Sequence, residues 1–141
     1  MDERIRQSDC RVNGWVLDGF PETESQVNLL KSMRINPSLV CMFEQPLNES
    51  INKLQARRID PMTGELFNVN VNPPTSEAQL KRLQRLPGDA EDLVRKRFQA
   101  WSENITMLEE NYATNLLTLN ANQASEIVFE CICEAIESPM Q

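Results

Sequence analysis

The sequence predicts an α/β fold, a parallel sheet flanked by helices. Short apolar runs typical of strands buried on both faces alternate along the chain with segments of helical periodicity. A chain of 141 residues is long enough for one core and too short for two comfortable domains. We therefore expect one domain over residues 1–141, without repeats or linkers.

The first part of the chain predicts two strands, each followed by a helix. Trp15–Leu17 is a short apolar run of the buried parallel type. Thr23 can cap a helix from about 23 to 34, which has apolar residues at helical spacing. The continuous apolar run 39–43 predicts the second strand, and another helix starts at 46–48.

A hairpin-like insertion is predicted next, because helical periodicity disappears from 59 to about 75. Prolines and a glycine there surround two short alternating segments. Their apolar content is too small for an independent core, so we expect a mobile insertion. A helix with Leu80 and Leu83 returns the chain to the main body.

The last part of the chain predicts a long helix, a strand and a final helix. Asp89 is the expected cap of the long helix, which ends at about Tyr112. Its apolar stripe has spacings of four, three, four, three and four residues and predicts a core face rather than a base-stacking platform. The stripe consists of Val94, Phe98, Trp101, Ile105, Leu108 and Tyr112. Leu116–Leu119 predicts the last strand, and Ser125 the cap of the last helix.

Composition narrows the classes of function. The formal charge of −7 opposes non-specific nucleic-acid binding, which needs a basic surface. The chain has no histidine, and its four cysteines lack CxxC spacing, which nearly excludes metal sites and histidine bases. Nothing resembles a signal peptide or an 18-residue apolar span, so we expect a soluble, intracellular protein without membrane or nucleic-acid partners.

Any anion must therefore meet local arginines, and these occur in close pairs. The pairs are Arg57 and Arg58, Arg82 and Arg85, and Arg95 and Arg97. They are either solvated helix faces or parts of an anion site. Phosphoryl transfer would suit an anion site, because arginines and Mg²⁺ supply most of its rate by positioning and neutralising charge. Asp18, after the first strand, is either a Mg²⁺ ligand through water or a capping carboxylate.

Three ordered motifs resemble adenylate kinases and related nucleoside monophosphate kinases. GWVLDGFPETESQ, residues 14–26, is similar to the family's apolar strand, DGFPR turn and helix glutamine. RRIDPMTGELFNVNVNPP, residues 57–74, resembles the family's lid. DAEDLVRKRF, residues 89–98, resembles an acidic helix start that leads to a phosphate-binding arginine. The resemblance covers essentially the whole chain and is strongest to the repeated domains of the family's long, ciliary type.

This resemblance implies an incomplete P-loop-kinase-like domain over 1–141, with a mobile lid at 57–74. On the monophosphate side, the AMP pocket would be lined by Gly19, Phe20 and Pro21. Gln26 would read the adenine edge, although it could otherwise be an ordinary exposed helix residue. Asp18 would hold Mg²⁺ through water.

On the ATP side, the resemblance implies a base site and a phosphate site. Lys53 stands where the family usually has an arginine stacked on the base, so the charge is kept and planar stacking is lost. Arg57 would contact the ATP phosphates from the base of the lid. Leu66 and Phe67 would lie near the nucleotide, and Gln123 would contact adenine through its backbone.

For the transfer step, the resemblance implies that Arg97 bridges the donor and acceptor phosphates, with Arg85 as its partner. The family pattern R-x-D-D is altered here to RLPGD, with one extra residue before Asp89 and a glycine in place of the first acid. No cysteine lies between residues 42 and 130, so a lid without zinc is expected.

Two departures bear on activity. Glu22, assigned to the AMP site, stands where the family has an arginine that grips the AMP phosphate, so a charge-assisted bond becomes repulsion. The phosphate loop G-x-x-x-x-G-K-[ST] does not occur in these 141 residues, and the family carries it on a strand upstream of the matched region. We expect the chain alone to be inactive, and without that strand it lacks part of its core.

The resemblance implies phosphoryl transfer from Mg-ATP to AMP or another nucleoside monophosphate in the complete domain. The alternative is a catalytically inactive kinase-like module with a structural or interaction role and axonemal protein partners. Glu22 and the missing phosphate loop favour this alternative, whereas the intact lid and Arg97 oppose it. The implied location is cytoplasmic, with the cilium or axoneme as the narrower expectation.

Overall fold

The computed structural model describes residues 1–138 and confirms the mixed α/β class. In chain order the helices are α1 (Asp2–Ile5), α2 (Ser8–Asn13), α3 (Glu24–Ser32), α4 (Leu47–Ala56), α5 (Glu77–Arg82), α6 (Glu91–Tyr112) and α7 (Ser125–Glu137). The strands are β1 (Val40–Glu44), β2 (Arg57–Ile59), β3 (Leu66–Asn68) and β4 (Leu116–Asn120). A 3₁₀ turn, Pro87–Asp89, precedes α6.

Strands β1 and β4 form a parallel pair, as the sequence predicts. Val40 is paired with Leu116, and the register continues to Glu44 and Asn120. Met42 and Leu119 are 5% and 4% exposed, so this pair contributes to the core. Parallel pairing requires a long crossover connection, which the chain between the two strands provides.

The predicted strand at 15–17 is not formed, and this prediction was wrong. Val16 is 91% exposed. A strand is stabilised by hydrogen bonds to a neighbouring strand, and no residue within 1–138 pairs with Trp15–Leu17. The apolar run identifies a segment suited to a sheet, but pairing depends on a partner that the run itself does not supply.

Helix α6 carries the predicted apolar stripe and packs against both α3 and α4. Val94 and Tyr112, at the two ends of the stripe, are buried, and the members between them are half-buried. Phe98 and Trp101 are in contact, with ring centroids 5.4 Å apart and ring planes tilted by 48°. From α3, Val27 and Leu30 complete this core with 0% and 1% exposure.

The predicted hairpin is present as the antiparallel pair β2 and β3. Arg57 is paired with Asn68, and Ile59 with Leu66. Gly64 adopts φ +74° in the turn, where glycine avoids the strain of a β-carbon. Ile59 also exchanges two backbone hydrogen bonds with Gln84, of 2.9 and 3.0 Å, so the hairpin is joined to the segment after α5.

The predicted helix caps are only partly correct. Thr23 occupies the cap position of α3, but its hydroxyl lies 3.1 Å from Ser25 Oγ and does not cap the backbone. Ser125 is the first residue of α7 rather than its cap. Asp89 lies in the 3₁₀ turn and does not cap α6, because its carboxylate is bonded to Arg57. No helix within residues 1–138 is long and apolar enough to cross a membrane.

Candidate functional site

The base of the hairpin carries an arginine cluster, which we define as Arg57, Arg58 and Arg97 around Asp89. Arg57 opens β2 and donates two hydrogen bonds to Asp89, from Nε to Oδ2 at 2.9 Å and from Nη2 to Oδ1 at 2.6 Å. Asp89 is only 8% exposed. This bidentate, charge-assisted pair fixes the plane of the Arg57 guanidinium.

The pKa of Asp89 is lowered by the arginines around it. The hydrogen bonds from Arg57 lower the pKa of Asp89 more than its burial raises it. The positive charges of Arg57, Arg97 and Arg58 lower this pKa further. Burial alone would have raised it, because a low-dielectric surrounding disfavours the ionised carboxyl group. Asp89 is therefore held ionised.

Arg58 and Arg97 are not paired directly with a carboxylate in the described chain. Arg58 Nη1 donates to two backbone oxygens, those of Gln55 at 2.6 Å and Arg57 at 2.7 Å. Neither Arg58 nor Arg97 forms a salt bridge within the described chain. Arg58 and Arg97 are therefore available to a phosphate-bearing anion.

A second bidentate pair holds the hairpin to α5. Arg82 donates to Asp60 from Nε at 2.7 Å and from Nη2 at 2.6 Å. Asp60 is fully buried and also accepts the backbone N–H of Met62 at 3.0 Å. The Arg82 bonds hold the pKa of Asp60 well below its usual range. The hairpin is thus joined to the rest of the chain by an ion pair near each end of β2.

Lys53 lies beside the loop that carries Gln123. Its Nζ donates to the Ala121 backbone oxygen at 3.1 Å, and Gln45 Nε2 donates to the same oxygen at 3.2 Å. Gln123, two residues further on, is exposed. The structure therefore brings together two of the residues predicted for the ATP base, at the carboxyl ends of β1 and β4, where ligands gather in open α/β sheets.

The other residues predicted for the ATP side and the transfer step are more scattered. Leu66 is 49% exposed, whereas Phe67 is buried in the hairpin. Arg85 is exposed, and within residues 1–138 it takes part in neither a side-chain hydrogen bond nor a salt bridge. The structure does not join Arg85 to the arginine cluster by a bond.

The predicted monophosphate segment forms a separate, locally ordered turn. Gly19 has φ +65°, and the Glu22 backbone N–H donates to Gln26 Oε1 at 2.6 Å. Asp18, Gly19 and Glu22 are exposed, while Phe20, Pro21 and Gln26 are half-buried. No hydrogen bond or ion pair in the described chain links Asp18–Gln26 to the arginine cluster. The first motif and the arginine cluster are therefore not in direct polar contact in the described chain.

Comparisons with curated proteins match nearly the whole chain. Adenylate kinase 8 of Rattus norvegicus is 37% identical over 140 residues, which are 99% of this chain and 29% of that protein. The chloroplastic adenylate kinase of Zea mays is 30% identical over 139 residues, 99% of this chain and 63% of that protein. The chain belongs to the adenylate kinase family.

The length of the match differs among the relatives of this adenylate kinase family member. Adenylate kinase of Photorhabdus laumondii is 50% identical over 44 residues, 31% of this chain. The chain spans less than a third of the length of the rat protein and less than two thirds of the maize protein. No family model matches the chain.

Sequence reasoning missed three features of this site in the adenylate kinase family member. Asp89 was expected as a helix cap, but it is the partner of Arg57. Arg58 was noted only as one of a pair, and the Asp60–Arg82 bond was not foreseen. The signal available in the sequence was Asp60, which lies within three residues of Arg57 and Arg58 and could have indicated an ion pair. Its partner, however, lies 22 residues away, which spacing alone cannot identify.

Proposed function

We propose that this chain supplies the lid and phosphate-binding side of an enzyme that transfers a phosphoryl group between ATP and a nucleoside monophosphate. The observation that carries this proposal is the arginine cluster, with three guanidinium groups around one buried carboxylate at the base of a hairpin. Family membership supports the same chemistry, since the matched relatives are adenylate kinases.

In this proposal the arginines act on the charge of the transferring phosphoryl group. Arg57, fixed by Asp89, binds the ATP phosphates from the hairpin, and Arg97 spans the donor and acceptor phosphates. Arg85 joins them when the nucleotide is bound. Because the transition state requires mainly positioning and charge neutralisation, these groups need no nucleophile or general base beside them.

The hairpin at 57–74 is proposed as the lid over the ATP site. Lys53 and Gln123 flank the base near the Ala121 carbonyl, and Leu66 offers an exposed apolar surface to the nucleotide. Phe67, the next residue of β3, is buried on the opposite face of the hairpin. Closing such a segment would exclude water from the phosphates and strengthen every electrostatic interaction there.

The monophosphate is proposed to bind at the turn formed by Gly19, Phe20 and Pro21. Gln26 would contact the base. Asp18 is exposed and its carboxylate has no ion-pair partner within residues 1–138, so it can hold Mg²⁺ through water. The described residues contain no group of three or more metal-ligating side chains, so the other ligands would be water and nucleotide phosphates. When bound, Mg²⁺ would neutralise charge on these phosphates.

Calorimetric titration of the chain with Mg-ATP tests the proposal. Arg97→Gln should weaken binding at least about tenfold, because a charge-assisted hydrogen bond contributes about 1.5–3 kcal/mol. Arg95→Gln is the matched control, since Arg95 lies two residues away on α6 and is paired with Glu91. Equal affinities of the two variants would contradict the proposal. Binding is the readout because the phosphate loop motif does not occur in these 141 residues.

A second candidate function is a kinase-like module that binds protein partners without catalysis. Two observations favour it. Glu22 places a negative charge at the predicted monophosphate site, and apolar side chains such as Val16 and Phe129 are 91% and 66% exposed. Exposed apolar side chains of this kind become buried when a partner binds over them. Under this hypothesis the partners are axonemal proteins and the protein resides in the cytoplasm or cilium.

A further inference from the structure

Strand β1 has one edge without a hydrogen-bonding partner in the described chain. Its other edge pairs with β4, where the Val40 N–H donates to the Asn115 carbonyl oxygen at 2.9 Å. Because the backbone groups of successive strand residues face opposite neighbours, those of Cys41 and Phe43 face away from β4. No hydrogen bond within residues 1–138 reaches the N–H or carbonyl groups of these two residues. They form the free edge of β1.

The free edge of β1 lacks the features by which edge strands usually avoid pairing with another chain. Residues 40–43 are all apolar, without lysine, proline or a bulge. Phe43 is 51% exposed, beside a depression that Phe98 and Trp101 also line. The outer edge of β4 is different, because Thr118 there is polar and exposed. An apolar strand with an unpaired edge is a template for strand addition.

The accessible surface of the chain is larger than that of a compact monomer. It is 10077 Å² for a mass of 16.2 kDa, whereas a folded monomer of that mass exposes about 7,500 Å². The excess is about 2,600 Å². One subunit of a permanent homodimer buries about 1,000–2,500 Å². The surplus surface is therefore large enough for a stable contact with a second copy of the chain.

We propose that β1 pairs antiparallel with β1 of a second copy, about a two-fold axis through Met42, so that the two chains share one continuous sheet. In this register Cys41 lies opposite Phe43 of the second copy, and these two residues exchange both of their free backbone hydrogen bonds. The two-fold axis repeats the exchange on its other side. Glu44 lies opposite Val40 of the second copy, so like charges do not meet. This contact goes beyond the proposed function and does not depend on it.

The oligomeric state of the full chain tests this pairing. Sedimentation equilibrium should give a dimer, and Phe43→Lys should raise its dissociation constant at least about tenfold, because the new ammonium group would lose water at the contact. Thr118→Lys is the matched control, since it makes the same charge change on the outer edge of the sheet. Its dissociation constant should stay within about twofold of the unchanged chain. Circular dichroism verifies that all three chains are folded.

Hydrogen exchange of single backbone amides locates the contact on the sheet. The Cys41 and Phe43 amides should be protected in the dimer and should lose this protection on dilution below the dissociation constant. The Thr118 amide should exchange at the same rate at every concentration.

A disulfide tests the register. Phe43→Cys places a thiol opposite Cys41 of the second copy, at a Cα separation of about 5.5 Å, which a disulfide can span. Mild oxidation should therefore link two Phe43→Cys chains. The same oxidation should not link chains that also carry Cys41→Ser.

Three outcomes overturn the inference while leaving the proposed function intact. One is a monomer whose Cys41 and Phe43 amides exchange freely. Another is a dimer that Phe43→Lys and Thr118→Lys affect equally, which would place the contact on a different surface. The third is protection of the Cys41 and Phe43 amides in a monomer, which would show that a segment of the same chain, such as Trp15–Leu17, covers β1.

Discussion

Glu22 is the side chain of the predicted monophosphate site whose charge most affects the binding of a phosphate there. Its backbone N–H donates to Gln26 Oε1 at 2.6 Å, which fixes the turn between Pro21 and α3. Because a backbone N–H can only donate, the atom of Gln26 that faces it must be the oxygen. The Gln26 amide nitrogen is thus directed elsewhere, while the Glu22 carboxylate is exposed.

Replacing Glu22 with arginine should strengthen AMP binding. The substitution removes a repulsive charge from the proposed phosphate position and adds a group that can bond phosphate in a bidentate manner. We expect at least about a tenfold gain in AMP affinity by calorimetry. Glu24→Arg is the control, because Glu24 is exposed at the start of α3 and makes the same charge change. Unchanged AMP affinity in Glu22→Arg would show that this turn is not the monophosphate site.

At the scale of elements, the hairpin depends on contacts outside itself. Strands β2 and β3 have three residues each, and so short an antiparallel pair is only marginally stable on its own. The Arg57–Asp89 and Asp60–Arg82 pairs and the backbone bonds to Gln84 hold it in place. A hairpin anchored mainly by ion pairs at its base can remain ordered there while its turn stays exposed.

Asp60→Asn should destabilise the chain at neutral pH, and this destabilisation should begin to shrink as the pH falls below about 4. The pKa of Asp60 is lowered in the folded state, so the folded chain binds fewer protons than the unfolded chain. Its stabilisation is therefore complete above the unfolded pKa of about 3.9 and is lost as the pH falls toward the folded pKa.

Urea unfolding at pH 7 and near pH 3 measures this dependence. The difference between the unchanged chain and Asp60→Asn should shrink at the lower pH. Glu77→Gln is the control, because its carboxylate is 84% exposed in a salt bridge with Lys81 and should have little effect at either pH. A pH-independent difference for Asp60→Asn would mean that the charge of Asp60 is not what stabilises the hairpin.

For the whole molecule, the core lies between α3, α4, α6 and the parallel pair. Its most buried side chains include Val27, Leu30, Met42 and Leu119. An open depression of about 140 Å³ between β1, α4 and α6 is lined by Phe43, Phe98 and Trp101. Phe98 and Trp101 are half-buried and Phe43 is exposed, so these aromatic groups lie at the edge of the core.

Adjacent leucines on α3 test where this core lies. Leu30→Ala should reduce the free energy of unfolding by about 2–5 kcal/mol, because Leu30 is 1% exposed and its removal leaves a cavity. Leu29→Ala should change it by no more than about 0.5 kcal/mol, because Leu29 is 42% exposed. Denaturant unfolding of both variants provides the measurement. Equal losses would contradict this packing of α3.

Local sequence signals predicted most elements because each depends on a nearby pattern. The stripe from Val94 to Tyr112 fixed the long helix to its last residue, and the apolar runs at 39–43 and 116–119 located both parallel strands. The apolar run at 15–17 wrongly predicted a strand, because strand formation also needs a neighbouring strand to pair with. Helix caps were predicted poorly, since Asp89 had a stronger bonding partner elsewhere.

By itself, the sequence determined the α/β class, the order of the elements from α3 onward and the motifs that mark the adenylate kinase family. Only the tertiary structure decided the partners of the charged groups: Asp89 with Arg57, and Asp60 with Arg82. The physical reason is range. Periodicity and turn chemistry depend on residues a few positions apart. An ion pair can join residues far apart in the sequence, which come close only after the helices and strands have packed.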